Sequence, residues 1–203
     1  MTLTDVDTAL PGQSFQYETA HRRLMLWILE VSLRYLESAD FDQDTVMVSP
    51  DILVLGDLRP FFTADLGVIV RSADKFIASE RPLLNSVQWW RVGAKDRLAD
   101  FYRQALEIAE TLPEDVIRWG ADTEPLLRLL SPLQVGQFER VGLTVSAMDQ
   151  REVMGTFSRR ILRHMQAGQP YQGQPLLDFK YLRKRHMREF FEFAIEGVPC
   201  RNS

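Results

Sequence analysis

The residues best suited to nucleophilic or metal chemistry are few, because the chain has only three histidines and one cysteine. His186 and Glu189 lie one helical turn apart, a spacing that suits a pair of metal ligands, but Arg185 and Arg188 beside them would repel a divalent cation. We interpret His186 and Glu189 as a surface ion pair. Cys200 lies in a predicted loose tail, where an ordered base to activate its thiol is not expected. One cysteine also rules out an internal disulfide.

Other catalytic patterns lack a required part. Asp40, Asp42 and Asp44 alternate as in a calcium loop, but the glycine and the bidentate glutamate that complete such a loop are missing. Glycine-rich phosphate loops, dinucleotide-binding turns and a serine elbow do not occur in the sequence. The sequence therefore predicts a protein that is not an enzyme and has no cofactor and no metal site.

Charge is unevenly distributed along the chain and points to a different chemistry. Residues 1–150 carry 14 basic and 23 acidic side chains, whereas residues 151–203 carry 10 basic and 5 acidic ones. Arginine binds phosphate oxygens in a bidentate manner, so two basic helices could contact nucleic acid. The candidate nucleic-acid-binding residues are Arg159, Arg160, Arg163, Lys180, Arg183, Lys184, Arg185 and Arg188. The alternative is a solvated helix face whose cations pair with the acidic first part of the chain.

A group of aromatic residues suggests a partner-binding surface. Phe190, Phe191 and Phe193 cannot share one face of a helix, so at least one is expected to point away from the core, and we group Trp119 with them. The alternative is a helix that buries both sides within its own chain. A protein partner or a homo-oligomer is predicted on the first interpretation.

The elements that would position these residues read as helices. Apolar residues recur at steps of three and four over Lys95 to Leu112, and further helices are expected over Ser14 to Glu37, Leu126 to Leu130, Leu133 to Val141, Asp149 to Gly168 and Pro175 to Glu196. A short β-hairpin within 45–71 is open beside a helical interpretation. The predicted fold class is mainly α, with a tail at 1–13, an acidic helical domain at 14–150 and a basic helical segment at 151–203.

The segment 98–142 resembles FlhD, the D subunit of the flagellar transcriptional activator. Three stretches carry the resemblance: Tyr102-Arg-Gln104-Ala105-Leu106, Val116-Ile-Arg118-Trp119-Gly120 and Leu129-Leu-Ser131-Pro132-Leu-Gln134-Val135. The resemblance implies a helical subunit that acts with a partner subunit on DNA.

These observations predict a non-enzymatic bacterial regulatory subunit that works with a protein partner on nucleic acid. The alternative is a protein–protein adaptor or an assembly component of a secretion, conjugation or phage system. The longest apolar run has six residues, where a spanning helix needs about 20. We therefore expect no membrane span and a cytoplasmic location.

Overall fold

A computed structural model of the protein describes residues 17–61, 63–71, 82–113, 122–167, 169, 171–179, 187 and 190. Its helices are α1 (Tyr17–Glu37), α2 (Lys95–Thr111), α3 (Thr123–Leu130), α4 (Gln150–Val153) and α5 (Arg159–Gln166). Its strands are β1 (Thr45–Val48), β2 (Ile52–Val54), β3 (Leu66–Val70), β4 (Leu83–Trp90), β5 (Gly136–Arg140), β6 (Leu143–Asp149), β7 (Met154–Thr156) and β8 (Leu176–Asp178). The fold is mixed α/β, so the prediction of a mainly α protein is wrong.

The larger sheet has five strands in the order β1-β4-β3-β6-β5. All neighbours are antiparallel except β3 and β6, which run parallel. Every residue of β3 is buried, because one face of the sheet is covered by helices and the other by the second sheet. Gly67 of β3 lies opposite Trp89 of β4, and a Cβ atom at Gly67 would meet the Trp89 Cβ at 3.0 Å. Glycine thus lets the indole lie close to the central strand.

Helices α1 and α2 cover one face of the larger sheet. In α2, Leu98, Phe101, Tyr102 and Ala105 recur at helical spacing and are buried, as the amphipathic pattern predicted. The carboxyl-terminal part of α1 packs beside α2, and Arg103 of α2 forms an ion pair with Glu37 of α1 at 2.8 Å. This packing places the inner face of α1 above strands β1 and β4.

The second sheet has three strands in the order β2-β8-β7 and packs on the opposite face of the larger sheet. Between the two sheets lies a core that includes Ile52 and Leu176 from the smaller sheet and Ile69, Val87 and Trp89 from the larger one. Strand β2 pairs with β8 in antiparallel register, and β8 pairs with β7 in parallel register. The smaller sheet therefore joins residues from the predicted acidic domain to residues from the predicted C-terminal segment.

Three of the predicted elements differ because tertiary pairing overrides local pattern. The region 45–71 contains strands, but β1 pairs with β4 and β2 with β8, so they do not form a hairpin with each other. Residues 136–140 form strand β5 instead of a helix. A turn at Val141 and Gly142, which both have positive φ, connects β5 to β6. At the start of the helix predicted from Pro175, residues Leu176–Asp178 form strand β8 instead.

The region after Asp149 contains a short helix, a strand and a second helix, where the sequence predicted one continuous helix. Asp149 does cap α4, accepting a hydrogen bond from the Arg151 backbone nitrogen, as predicted. The helix ends at Val153 because the next three residues pair with β8. Among the described helices, none is long and apolar enough to cross a membrane.

Candidate functional site

A cavity of about 750 Å³ lies between α1, strands β1 and β4 and the start of α3. Its walls are apolar over most of their area, with aliphatic side chains from α1 and β1 and the aromatic rings of Trp27, Tyr35 and Trp90. Trp27 is 38% exposed, while Trp90 is buried in the floor. The rings of Tyr35 and Trp90 lie 6.2 Å apart between centroids, so they form one aromatic surface.

The floor of the cavity contains an irregular part of β4. The register between β3 and β4 jumps where Val68 pairs with Gln88 and the next residue, Ile69, pairs with Leu84. The extra residues of β4 include Asn85 and Ser86, which line the cavity. Irregularities of this kind redirect side chains within a sheet. Here the irregularity places Asn85 and Ser86 in the cavity wall.

A directed chain of hydrogen bonds runs from the helix layer to the cavity wall. The hydroxyl of Tyr102 and the indole nitrogen of Trp90 both donate to Oε1 of Gln88. Nε2 of Gln88 donates to Oδ1 of Asn85, and Nδ2 of Asn85 donates to Oδ2 of Asp122 at 2.8 Å. Each donor in the chain points toward the next acceptor, so the chain ends on a carboxylate.

Tyr102 holds the inner end of this chain in a fully buried position. Burial raises the pKa of its hydroxyl well above the ordinary value of 10.0, because the phenolate would be desolvated. Hydrogen bonds with Trp90, Gln88 and Ser32 oppose that shift, and the charge of Asp122 adds to it. Tyr102 is thus kept protonated as a donor.

Asp122 holds the outer end of the chain, immediately before α3, and is 9% exposed. Its carboxylate does not cap the helix; Oδ2 accepts from Asn85, and Oδ1 accepts from the Thr123 hydroxyl at 3.2 Å. Both of these donors are neutral groups. A buried carboxylate is costly unless a positive charge or several hydrogen bonds compensate it. Among the described residues, Asp122 is therefore an acidic side chain at the cavity wall whose hydrogen-bond donors carry no positive charge.

Three more ionisable side chains line the cavity: Asp51, Arg71 and Asp178. Each of them has an interaction partner of its own. Asp178 belongs to β8 and is 3% exposed, so the smaller sheet contributes to the cavity as well. Across residues 17–61, 63–71, 82–113 and the later described segments, no group of three or more histidine, cysteine or acidic side chains is arranged to hold a metal ion.

The predicted nucleic-acid-binding residues are only partly described. Arg160 and Arg163 are exposed on α5, and the backbone of Arg159 belongs to the same helix. Neither of the exposed arginines lines the cavity. The remaining candidates, Lys180, Arg183, Lys184, Arg185 and Arg188, lie outside the described residues.

Phe190, a predicted partner-binding residue, is fully buried. Its ring contacts Phe157, Phe179 and Tyr171 at centroid distances of 5.6–5.8 Å, in a core on the outer side of the smaller sheet. The second interpretation of the aromatic group, burial within its own chain, therefore describes Phe190. Trp119, Phe191 and Phe193 lie outside the described residues.

Comparison with known proteins finds no matching family model, no similar curated protein and no similar solved structure. The resemblance to FlhD thus stays a prediction. Within the segment that carries it, Tyr102 to Leu106 lies in α2, and Leu129 to Val135 runs from the end of α3 toward β5.

Sequence patterns did not predict the chain of hydrogen bonds at the cavity. A usable signal was present, since Asn85, Ser86 and Gln88 interrupt the otherwise apolar stretch of β4 between Leu83 and Trp90. Polar residues inside a buried strand need hydrogen-bond partners, and those partners mark a site. The partner Asp122 comes from a distant part of the chain, which a local pattern does not reveal.

Proposed function

We propose that this protein is a non-enzymatic binding protein whose ligand is a small organic molecule held in the cavity between α1 and the larger sheet. The observation that carries the proposal is the cavity itself. A volume of about 750 Å³ lies within the range of roughly 300–1,000 Å³ that is typical of ligand pockets. Mostly apolar walls with a few fixed polar groups are also typical of such pockets.

The hydrogen-bond chain supports the same proposal. Gln88 is 2% exposed, and buried polar side chains are a costly way to fill a core that apolar residues could fill. The chain fixes the orientation of Asn85 and Asp122 before any ligand arrives. Such preorganisation lowers the side-chain entropy that the protein must lose when a ligand binds.

Tryptophan fluorescence provides the test, because Trp27 and Trp90 both line the cavity. We expect a neutral probe, 2-phenylethanol, to change the emission of the full chain in a saturable manner at millimolar concentrations. Val31→Trp should fill the cavity from α1 and abolish saturation, whereas Val135→Trp, at a site 56% exposed and outside the cavity lining, should leave probe binding unchanged. Equal binding by both variants would place the probe elsewhere and contradict the proposal.

A second candidate function is contact with nucleic acid, together with a protein partner, as the charge distribution predicts. The observation that favours it is the exposure of Arg160 and Arg163 on α5, a helix whose Ile161 packs on the core beside the smaller sheet. A helix anchored by its apolar side can present its cations to phosphates. The salt dependence of DNA binding tests this candidate, as set out in the Discussion.

A further inference from the structure

We infer that the ligand of the cavity is a small organic cation, an amine or quaternary ammonium group attached to an apolar or aromatic body. The inference rests on the proposed function and adds the chemical class of the ligand. Its basis is that Asp122 lines a cavity that is also lined by the aromatic residues Trp27, Tyr35 and Trp90.

Within the described residues, Asp122 is bound by neutral hydrogen-bond donors. Its hydrogen-bond donors in the described residues are the side chains of Asn85 and Thr123, and neither carries a charge. A carboxylate has room for about four hydrogen bonds, so two donors leave accepting capacity. A ligand ammonium group would supply both a further hydrogen-bond donor and a positive charge. Charge-assisted hydrogen bonds of this kind are stronger than neutral ones.

Three aromatic residues line the same cavity. Tyr35 and Trp90 form one aromatic surface, and Trp27 adds a third ring to the lining. Faces of aromatic rings attract cations, tryptophan most strongly, and the same faces bury the apolar part of a ligand. An aromatic wall beside a carboxylate therefore suits an amine with a flat apolar body.

The charged side chains of the lining disfavour an anionic ligand. The described lining contains three carboxylates, those of Asp51, Asp122 and Asp178, and one guanidinium, that of Arg71. An anion entering the cavity would meet an excess of negative charge, whatever pairs these groups form among themselves. Like charges at short range in a partly desolvated site cost several kcal/mol. The lining thus selects against anions while it favours cations.

A matched pair of probes tests the inference. 2-Phenylethylamine and 2-phenylethanol have nearly the same size and apolar body, and an alkyl amine carries a positive charge at pH 7. We expect isothermal titration calorimetry on the full chain to show at least tenfold tighter binding of the amine. The charged hydrogen bond to Asp122 is the reason for this difference.

Variants locate the preference at Asp122. Asp122→Asn keeps an acceptor for the Asn85 amide but removes the charge, so the affinity for the amine should fall to within about twofold of that for the alcohol. The control is Asp100→Asn on α2, whose carboxylate is exposed, pairs with Arg103 and does not line the cavity. Asp100→Asn should keep the preference for the amine.

The outcomes separate this inference from the proposed function. Equal affinities of the two probes for the wild-type chain would overturn the inference and leave the proposed function standing. Binding of neither probe would overturn both. Should Asp122→Asn not fold, the wild-type comparison still decides, and tighter binding of 3-phenylpropanoate than of the amine would also contradict a cationic ligand.

Discussion

Nδ2 of Asn85 donates a hydrogen bond to Oδ2 of Asp122 over 2.8 Å, although 37 positions separate the two residues in the chain. The bond ties the irregular part of β4 to the start of α3 and ends the chain of donors that begins at Tyr102. Because Asp122 is buried and Asn85 is partly buried, breaking this contact leaves polar groups without a partner and without full hydration.

Replacing Asn85 tests the contribution of this contact to stability. Asn85→Leu removes the partner of Asp122 and of the Gln88 amide, so we expect the free energy of unfolding to fall by about 2–3 kcal/mol. Urea denaturation measures the change. The double variant Asn85→Leu with Asp122→Leu removes both ends of the bond, and its cost should be smaller than the sum of the two single changes. A purely additive result would show that the two side chains are not coupled.

Tyr102 predicts how stability depends on alkaline pH. Burial raises its pKa in the folded protein, while in the unfolded chain it ionises near pH 10. Above pH 10 the unfolded state therefore releases a proton that the folded state keeps, and stability falls as pH rises. Tyr102→Phe should cost about 1 kcal/mol at pH 7 through the lost hydrogen bond to Gln88.

The same variant should then lose stability less steeply than the wild type above pH 10, by up to about 1.4 kcal/mol per pH unit. Urea denaturation between pH 9 and pH 11.5 provides the comparison. Burial also raises the pKa of Tyr171, which is only partly buried, so Tyr171→Phe is a comparison that should reduce the steepness of the decline in the same direction. Parallel curves for the wild type and Tyr102→Phe would contradict the role given to Tyr102.

The exposed arginines of α5 give a prediction for DNA binding. Each phosphate contact contributes a slope of about −0.9 to the logarithm of affinity plotted against the logarithm of salt concentration. If Arg160 and Arg163 contact phosphates, changing both to Glu should reduce that slope by about two units and weaken binding at every sequence. Fluorescence anisotropy with a labelled duplex measures both quantities.

The control for that experiment is Arg59→Glu. Arg59 is also exposed, but it lies far from α5 in the sequence and pairs with Asp57. It should change neither the slope nor the affinity beyond the effect of net charge. An affinity for DNA that is undetectable at low salt would remove the second candidate function.

Phe190 predicts a stability effect without a change in association. Its ring packs among Phe157, Phe179 and Tyr171, so Phe190→Ala should lower the free energy of unfolding by about 3–5 kcal/mol. Thermal denaturation and light scattering on the same samples measure stability and association. Phe191→Ala and Phe193→Ala are the comparisons, since a partner-facing phenylalanine should weaken association with little loss of thermal stability. A stable, folded Phe190→Ala would contradict the core assignment.

The sequence predicted the amphipathic elements but not the way they assemble. The apolar spacing in α2, the end of α1 at Glu37 and the capping by Asp149 are local properties, and the structure confirms all three. The larger sheet was missed because β4 is buried on both faces, so its residues do not alternate between apolar and polar. Residues 136–140 were predicted as helix because the stabilising partner, β6, lies beyond the turn at Val141 and Gly142.

The candidate site could not be predicted from the sequence for a related reason. Asn85, Asp122 and Trp90 meet only after α1, β4 and α3 have come together, so no segment of the chain carries the pattern alone. Catalytic motifs that a sequence reveals consist of residues at short, fixed separations along the chain. A cavity assembled from separated segments has no such spacing.

The smaller sheet has a consequence for the order in which the protein forms. Its strand β2 comes from the first third of the chain, while β7 and β8 come from the last, so no two neighbours in this sheet except β7 and β8 are close in sequence. Closing so long a loop costs conformational entropy that only prior contacts can offset. The larger sheet also closes a long loop, between β3 and β6, but it pairs five residues there, whereas β2 and β8 pair only three. It is therefore the part that can form first, and the amide hydrogens of β2 and β8 should exchange with solvent before those of β3 and β6.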